Sequence, residues 1–272
     1  MEINRKNITQ IMNETDIVPD KDYGQNFLVE PEIAKRIVES LKIEEDETVI
    51  EIGTGLGSLT HFLSLLNNKI ASVEIDERLA YFASKYYEDT SVKIVNKDIR
   101  NVDVSSYEKI IGNLPYNITT ELIQYLLISC SKAKRMVFMI QSEAFPHFFD
   151  VSGKEYGPTS ILIHLLGTIT RLFTVKPGSF YPMPKCNSLV FAIDIREFDN
   201  RSNIIDAFKV TKQLFLNRRK TILNNLYAYL KDKDYALKVC ADLDINPATR
   251  PEQINPITYL KISDYLKAHK TK

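Results

Sequence analysis

The sequence predicts an α/β domain with a mostly parallel sheet, followed by a small all-helical domain. Short runs rich in Val and Ile recur through the first 200 residues, and helix-length segments separate most of them. This alternation is typical of a parallel sheet with helices on both faces. After about Asn200 the strand-like runs stop and helical patterns remain. We therefore expect a sheet domain over residues 1–198 and a helical domain over residues 199–272.

Seven segments are expected to be strands. The first five cover residues 48–52, 69–75, 92–98, 108–114 and 135–141. Two more, 170–175 and 188–196, have no helix between them, so we expect them to pair with each other as an antiparallel addition to the sheet. Their connection, KPGSFYPMPKCN, contains three prolines and a glycine, which indicates a stiff loop.

The helical segments follow the same reasoning. Apolar residues at helical spacing predict helices over 58–67, 119–130 and 157–167. In the last third of the chain we expect one long helix over 206–230, another over 233–243, and a loop followed by a final helix within 246–266.

Composition argues against a membrane protein, a secreted protein and a metal-binding protein. The chain has 272 residues, 44% of them apolar and 26% charged, which is ordinary for a soluble globular protein. No apolar run approaches the roughly 18 residues of a membrane span, and the N-terminus has no apolar signal region. The three cysteines form no CxxC pair and the four histidines form no HxxxH pattern, so we expect a cytoplasmic protein with reduced thiols and no metal site.

Charge is divided unevenly between the two halves, although the net charge is zero. Residues 1–150 carry 16 basic and 24 acidic side chains, whereas residues 151–272 carry 19 and 11. The segment 208–225 holds five Lys or Arg and no acid. Such asymmetry favours a local basic surface for a polyanion; a solvated face without a partner is the alternative.

A glycine-rich turn follows the first long strand. VIEIGTGLGSLT places Gly53, Gly55 and Gly57 between a strand and a helix, where α/β sheets bind ligands. Ser58 breaks the GxGxxG pattern of dinucleotide sites. Glu74 ends the next strand, where an acid can accept from both hydroxyls of a ribose, and Asp98 ends the one after, where it can accept from an adenine amine. The set fits an adenosine ligand without a pyrophosphate, and S-adenosylmethionine is the natural candidate; solvated strand ends are the alternative.

The fourth strand runs into the sequence Asn113-Leu114-Pro115-Tyr116. An amide oxygen and a backbone carbonyl can accept the two hydrogens of an exocyclic amine on a base. Pro115 biases Leu114 away from helical geometry, so that the Leu114 carbonyl can point outward. Tyr116 offers a stacking surface to a planar base. The alternative is a strand-ending turn with an Asn cap and a packed Tyr.

Several motifs in order resemble the ribosomal RNA adenine dimethyltransferases. They are GQNFL (24–28), EIGTGLGSLT (51–60), EID (74–76), NLPYNITT (113–120), FYPMPKCNSLV (180–190), NRRKTILNNL (217–226) and RPEQI (250–254). The resemblance spans residues 8–268. It implies N6,N6-dimethylation of two adjacent adenines in a hairpin near the 3′ end of small-subunit rRNA within a pre-assembled small subunit. It also implies a Rossmann-like S-adenosylmethionine-dependent sheet, and a monomer is expected.

The resemblance also implies roles for individual residues. The expected cofactor contacts are Gln25, Asn26, Leu28, Gly53, Gly55, Glu74, Ile75, Asp98, Ile99 and Asn113. Asn113 and Leu114 would hold the target amine, while Tyr116 and Phe180 would close on the two faces of the adenine. The expected RNA contacts are Lys185, Arg218, Arg219 and Lys220, although Arg218 or Arg219 can instead be a structural bridge between the domains.

Three other functions remain open on sequence alone. A resistance-type enzyme acting on large-subunit RNA shares the first four motifs. A non-catalytic nucleic-acid-binding relative is disfavoured by the intact Glu74, Asp98 and NLPY set. A nucleotide-dependent oxidoreductase is disfavoured by Ser58 and by the lack of a hydride-transfer constellation.

Overall fold

The computed structural model describes residues 2–15, 17–20, 24–115, 118–198 and 200–269. The chain forms two compact units. The first contains Met1–Glu143 and Ile169–Ile195, and the second contains Ala144–Thr168 and Arg196–Lys272. Within the described residues, no helix has the length and apolar character needed to cross a membrane.

The first unit is built on a seven-stranded sheet. The strands of this unit, including two short ones outside the main sheet, are β1 (Phe27–Leu28), β2 (Val49–Ile52), β3 (Ile70–Glu74), β4 (Val92–Asn96), β5 (Lys109–Asn113), β6 (Arg135–Gln141), β7 (Gly167–Val175), β8 (Phe180–Tyr181) and β9 (Ser188–Ile195). The order across the main sheet is β4-β3-β2-β5-β6-β9-β7. Pairs from β4 to β6 are parallel, and β9 runs antiparallel to β6. The predicted mostly parallel α/β fold is confirmed.

A second, two-stranded sheet joins β1 to β8, and the sequence patterns did not predict it. Phe27 lies opposite Tyr181 and Leu28 opposite Phe180. Each strand has two residues, which is too short for a period-2 pattern to be visible. The pairing nevertheless ties the GQNFL segment to the proline-rich loop.

Five helices surround the sheet: α1 (Ile8–Thr15), α2 (Pro31–Ser40), α3 (Ser58–Leu63), α4 (Glu77–Tyr86) and α5 (Thr119–Ser129). Helix α1 buries Ile8, Ile11 and Met12 in a cluster that also contains Phe27 and Leu56. This cluster adds an N-terminal layer to the unit, beside the main core formed by the sheet and α2.

The second unit is helical. Its helices are α6 (Pro146–Phe149), α7 (Pro158–Leu166), α8 (Arg201–Leu214), α9 (Ile222–Leu230), α10 (Lys233–Asp242) and α11 (Pro256–Ala268). It differs from the expected division at residue 198 because residues 144–168 belong to it. Helix α7 is apolar on nearly every side and packs against α8 and α11, so its burial requires those C-terminal helices.

The long helix predicted over 206–230 is wrong, because α8 and α9 are separated by a turn at residues 215–221. The Thr221 side chain caps α9 by accepting from the Asn224 amide at 3.4 Å. The buried side chain of Asn225 donates to the carbonyls of Asn217, Lys220 and Thr221 at 3.0–3.3 Å. These bonds pair polar backbone groups of the turn. Arg218, Arg219 and Lys220 therefore lie in the turn between α8 and α9 and not on a helix.

Candidate active site

The carboxyl ends of β2, β3 and β5 surround a cavity of about 350 Å³, a size within the usual range for small-ligand sites. All predicted cofactor contacts line it, together with Leu114 from the predicted catalytic set. They come from five separate segments of the chain, which are the GQNFL segment, the glycine turn, and the ends of β3, β4 and β5. The parallel sheet brings them together because its strands end at one edge.

The glycine turn needs glycine for steric and backbone reasons. Gly55 and Gly57 have φ values of +57° and +92°, a region that other residues rarely adopt. A Cβ atom on Gly57 would lie 2.5 Å from the Tyr87 hydroxyl oxygen, and one on Gly55 would lie 3.3 Å from the Phe27 ring. Glycine at these positions therefore lets Tyr87 and Phe27 pack against the turn, and Gly53 and Gly55 line the cavity.

Glu74 is fixed at the edge of the cavity by two backbone donors. The Gly55 amide donates to Oε2 at 2.8 Å, and the Asp76 amide donates to Oε1 at 2.9 Å. Desolvation raises the pKa of Glu74, although these two bonds oppose the rise. A carboxylate has about four lone-pair positions, so both oxygens keep capacity to accept from neighbouring hydroxyls of a ribose.

Asp98 lies at the next strand end, where Arg100 binds both oxygens of its carboxylate, its guanidinium donating to Oδ2 at 2.5 Å. The Arg100 amide and Nε donate to Oδ1 at 2.9 and 3.0 Å, and this pairing lowers the pKa of Asp98. Ile75 and Ile99 line the same part of the cavity. Two apolar side chains beside an acceptor suit a planar base that carries an amino group.

Glu51 is a buried acid that the sequence analysis did not assign to the site. Its Oε2 accepts from the hydroxyls of Thr60 at 2.7 Å and Ser72 at 2.6 Å. Its Oε1 is buried and accepts no hydrogen bond from any described residue. Burial raises the pKa of Glu51 to about 7, with Glu74 adding like-charge repulsion. Because Glu51 lines the cavity, a cationic group on a bound ligand could donate a hydrogen bond to its Oε1 and stabilise the charged carboxylate.

Asn113 ends β5 with its amide oriented by the GQNFL segment. Its Nδ2 donates to the main-chain carbonyl of Asn26 at 3.3 Å, which leaves Oδ1 as an acceptor. The Leu114 amide donates to Met139 at 3.0 Å, and the Pro115 carbonyl accepts from the Thr119 hydroxyl at 2.7 Å. These bonds fix the backbone on both sides of Leu114.

Phe180, one of the two predicted adenine-stacking residues, is not among the residues that line the cavity. Phe180 is 3% exposed and belongs to the main core cluster, because β8 turns its first side chain inward and exposes Tyr181. Its stacking role stays a prediction that requires a different ring position. Tyr116 lies outside the described residues. Lys185 is exposed in the proline-rich loop.

The second unit contains an open basic cleft. Its walls include Lys154, Arg218, Arg219, Arg250 and Glu252. Arg218 donates to the carbonyls of Gly153 at 3.1 Å and Tyr156 at 2.9 Å, so its guanidinium holds the loop before α7. Arg219 and Arg250 are exposed. Sequence reasoning missed Lys154 and Arg250 because each stands in a separate loop with acidic neighbours.

The cavity fits S-adenosylmethionine on three counts. The glycine turn places Gly53 and Gly55, which have no side chains, in the cavity wall, so a ligand can approach the backbone closely. Glu74 can accept hydrogen bonds from ribose hydroxyls. Glu51 Oε1, which accepts no hydrogen bond from any described residue, can accept from a cationic group such as the ammonium of the methionine part. The fold and this fit place the chain in the class of S-adenosylmethionine-dependent methyltransferases.

Comparison with known proteins specifies the class further. The family described as ribosomal RNA adenine dimethylase matches residues 19–268, and the chain belongs to this family. A protein named ribosomal RNA small subunit methyltransferase A from Mesomycoplasma hyopneumoniae is 33% identical over 251 residues, which cover 91% of this chain and 96% of that protein. S-adenosylmethionine is accordingly the cofactor of this protein.

Two solved structures are similar in fold. A dimethyladenosine transferase from Plasmodium falciparum has a TM-score of 0.76 and 25% identity, covering 89% of this chain and 98% of that chain. The 23S rRNA methyltransferase ErmE has a TM-score of 0.67 and 20% identity, covering 89% of this chain and all of that chain. At 20% identity the second similarity concerns the fold alone.

Proposed function

We propose that this protein uses S-adenosylmethionine to dimethylate N6 of two adjacent adenines in a hairpin near the 3′ end of small-subunit rRNA. The observation that carries the proposal is the orientation of Asn113, whose Nδ2 is held by Asn26 so that Oδ1 remains as the acceptor beside the cavity. The small-subunit substrate is supported by the name of the Mesomycoplasma relative, and the dimethylated adenosine product by the name of the Plasmodium transferase.

The mechanism assigned to the chain is alignment of a weak nucleophile. Asn113 Oδ1 and the Leu114 carbonyl accept the two N–H hydrogens of the adenine amine, which turns the nitrogen lone pair toward the cofactor. Bound S-adenosylmethionine supplies an activated methyl group on its sulfonium. Holding the two reactants in line makes the reaction effectively unimolecular, so no strong general base is required of the chain.

Entry of the target base requires that it leave its stack. Pro115, Ile118 and Leu122 give the cavity an apolar wall next to Asn113. An adenine in a hairpin loop is extruded at low cost because it is already poorly stacked. We assign Tyr116 and Phe180 to the two faces of the extruded base.

The basic cleft of the second unit is the proposed phosphate-binding surface. Lys154, Arg219 and Arg250 in its walls, and Lys220 next to Arg219 in the chain, are exposed cations that can neutralise backbone phosphates without reading sequence. Arg218 supports this surface indirectly through its bonds to backbone carbonyls. Lys185 in the first unit is proposed as a further RNA contact.

The proposed substrate also indicates the form in which the RNA is presented and where the enzyme acts. We propose that the enzyme acts as a monomer on a pre-assembled small subunit in the cytoplasm, where that particle is assembled. A hairpin presented by folded RNA would explain why the cations are spread over several loops and do not form one linear stripe.

The direct test uses labelled S-adenosylmethionine with undermethylated small and large ribosomal subunits. We expect label in small-subunit RNA, and digestion to nucleosides should yield N6,N6-dimethyladenosine. Label found solely in large-subunit RNA would contradict the substrate assignment. Absence of label from both, with cofactor bound normally, would favour a non-catalytic RNA-binding protein.

Asn113→Ala tests the mechanism. We expect kcat to fall about 100-fold or more, since the variant cannot orient the amine, while the melting temperature changes little. Asn68→Ala is the matched control, because Asn68 also donates its amide to backbone carbonyls but lies at the exposed loop before β3. Activity of Asn113→Ala equal to that of Asn68→Ala would rule out the assigned role.

A further inference from the structure

Residues 24–28 contact several parts of the candidate site at once. The carbonyl of Asn26 accepts from Asn113, and the carbonyl of Leu28 accepts from the Ser58 hydroxyl at 2.6 Å. Leu28 also pairs with Phe180 across the small sheet. The placement of this five-residue segment therefore decides how Asn113 is presented to a substrate.

The orientation of the Asn113 amide is chemically decisive. Its oxygen can accept from an amine, whereas its nitrogen can only donate and would repel the amine hydrogens. The Asn26 carbonyl selects the correct orientation because it accepts from Nδ2. At 3.3 Å this bond is long and tolerates little displacement of its acceptor. The segment must be held from elsewhere.

Gln25 fixes the segment through hydrogen bonds made by both the oxygen and the nitrogen of its side-chain amide. Oε1 accepts from the Asp20 amide at 2.8 Å, and Nε2 donates to Asp76 Oδ2 at 3.0 Å. The Gln25 amide also donates to the Asp20 carbonyl at 3.1 Å. Although Gln25 lines the cavity, its side-chain oxygen and nitrogen bond to other parts of the protein and connect the segment to Asp76, the N-cap residue of α4.

Asp76 makes more bonds than its place at the start of α4 requires. An N-cap needs one acceptor, which Ser, Thr or Asn supply equally well. Asp76 caps through Oδ1 to the Arg78 amide at 3.0 Å, binds the Arg78 guanidinium, and accepts from Gln25. Its side chain is 4% exposed, and Arg78 lowers its pKa to about 2, so it stays an acceptor near neutral pH. Its own amide donates to Glu74 at 2.9 Å.

We propose that Gln25 and Asp76 are positioning residues that hold residues 24–28 in place and thereby keep Asn113 Oδ1 facing the substrate amine. The bond between their side chains links the ribose-binding end of β3 to the amine-binding end of β5. The consequence for turnover rests on the proposed methyltransferase function; the consequence for the segment itself does not.

A donor–acceptor exchange tests the bond between the two side chains. Gln25→Glu removes the Nε2 donor and places a carboxylate against the Asp76 carboxylate. The other carboxylate oxygen of the new Glu side chain can still accept from the Asp20 amide, as Gln25 Oε1 does. Adding Asp76→Asn gives position 76 an amide that can donate to the new carboxylate, and Asn is also an N-cap residue. The substitution also removes the Oδ2 acceptor of the Arg78 guanidinium, a bond of 2.6 Å, so the expected recovery is partial. Gln10→Glu is the control, because Gln10 donates to Glu14 at 2.7 Å on the exposed face of α1. It creates the same repulsion far from the cavity lining.

Two measurements decide the outcome. Without cofactor, hydrogen exchange of the peptide covering residues 24–29 should accelerate at least about threefold in Gln25→Glu and return toward wild type in the double variant. With cofactor and small-subunit substrate, kcat of Gln25→Glu should fall about tenfold, and this fall should exceed the rise in KM for S-adenosylmethionine. The double variant should regain part of the lost kcat.

Contrary results are distinguishable. Exchange and kcat of Gln25→Glu equal to those of Gln10→Glu would overturn the proposal. If Gln25→Glu fails to fold, Gln25→Ala and the double variant carry the same comparison. A wild-type protein inactive on ribosomal RNA would refute the proposed function, while the exchange measurement would still decide the role of the Gln25–Asp76 bond.

Discussion

Glu51 shows how a single buried residue couples the site to stability. Its folded pKa of about 7 lies above the ordinary value of 4.5, chiefly because burial disfavours the charged form. Between these two values the folded chain keeps a proton that the unfolded chain releases. The stabilisation is complete below the unfolded pKa and is lost as pH rises through the folded pKa.

Glu51→Gln should remove this pH dependence. Gln keeps the side-chain volume and can still accept from Thr60 and Ser72, but it does not titrate. From pH 5 to pH 8 the free energy of unfolding of the wild type should fall relative to Glu51→Gln by about 2–3 kcal/mol. Urea unfolding at several pH values without cofactor measures this difference. A constant difference would show that Glu51 titrates normally.

Some site residues were accessible to sequence reasoning and others were not. Gly53, Glu74 and Asn113 could be assigned because each stands at the end of a Val- or Ile-rich strand, and parallel strands end at one edge. The Gln25–Asp76 bond could not, because it joins residues 51 positions apart through a segment without a periodic pattern. Only the folded chain brings such pairs together.

At the scale of helices and strands, the pattern of apolar residues predicts the elements that are long and buried. The core strand β6 was predicted with its observed bounds because all but its last residue are buried. The break between α8 and α9 escaped prediction because residues 206–230 contain neither Gly nor Pro. Polar side chains form that break, through the Thr221 cap and the buried Asn225 amide, and such bonds are invisible to hydrophobic periodicity.

Asn225→Ala should therefore loosen the turn that carries the basic run. The carbonyls of Asn217, Lys220 and Thr221 lose their side-chain donor, although those of Asn217 and Thr221 keep a backbone donor. We expect a loss of about 1–3 kcal/mol in the free energy of unfolding. Hydrogen exchange across residues 215–221 should accelerate as well. Asn224→Ala is the control, since Asn224 is its exposed neighbour on the same helix. Equal effects of the two variants on exchange would show that Asn225 does not organise the turn.

At the scale of the whole molecule, the two halves of the chain have opposite charge. The acidic half contains the residues that line the cofactor cavity, and the basic half contains the cleft with Arg219 and Arg250. A chain of zero net charge gains no general attraction to nucleic acid, so its affinity for RNA must come from local cations. The acidic half would then repel phosphates that approach outside the basic surface.

Arg219→Glu combined with Lys220→Glu should weaken RNA binding without affecting the cofactor. Both side chains are exposed in the turn, so we expect affinity for the substrate RNA to fall at least about tenfold, and the salt dependence of binding to become shallower as phosphate contacts are lost. Filter retention at several salt concentrations measures both effects. Lys233→Glu with Lys238→Glu makes the same change in net charge on α10 and should weaken binding far less. Equal losses in the two double variants would mean that total charge, and not the cleft, determines affinity.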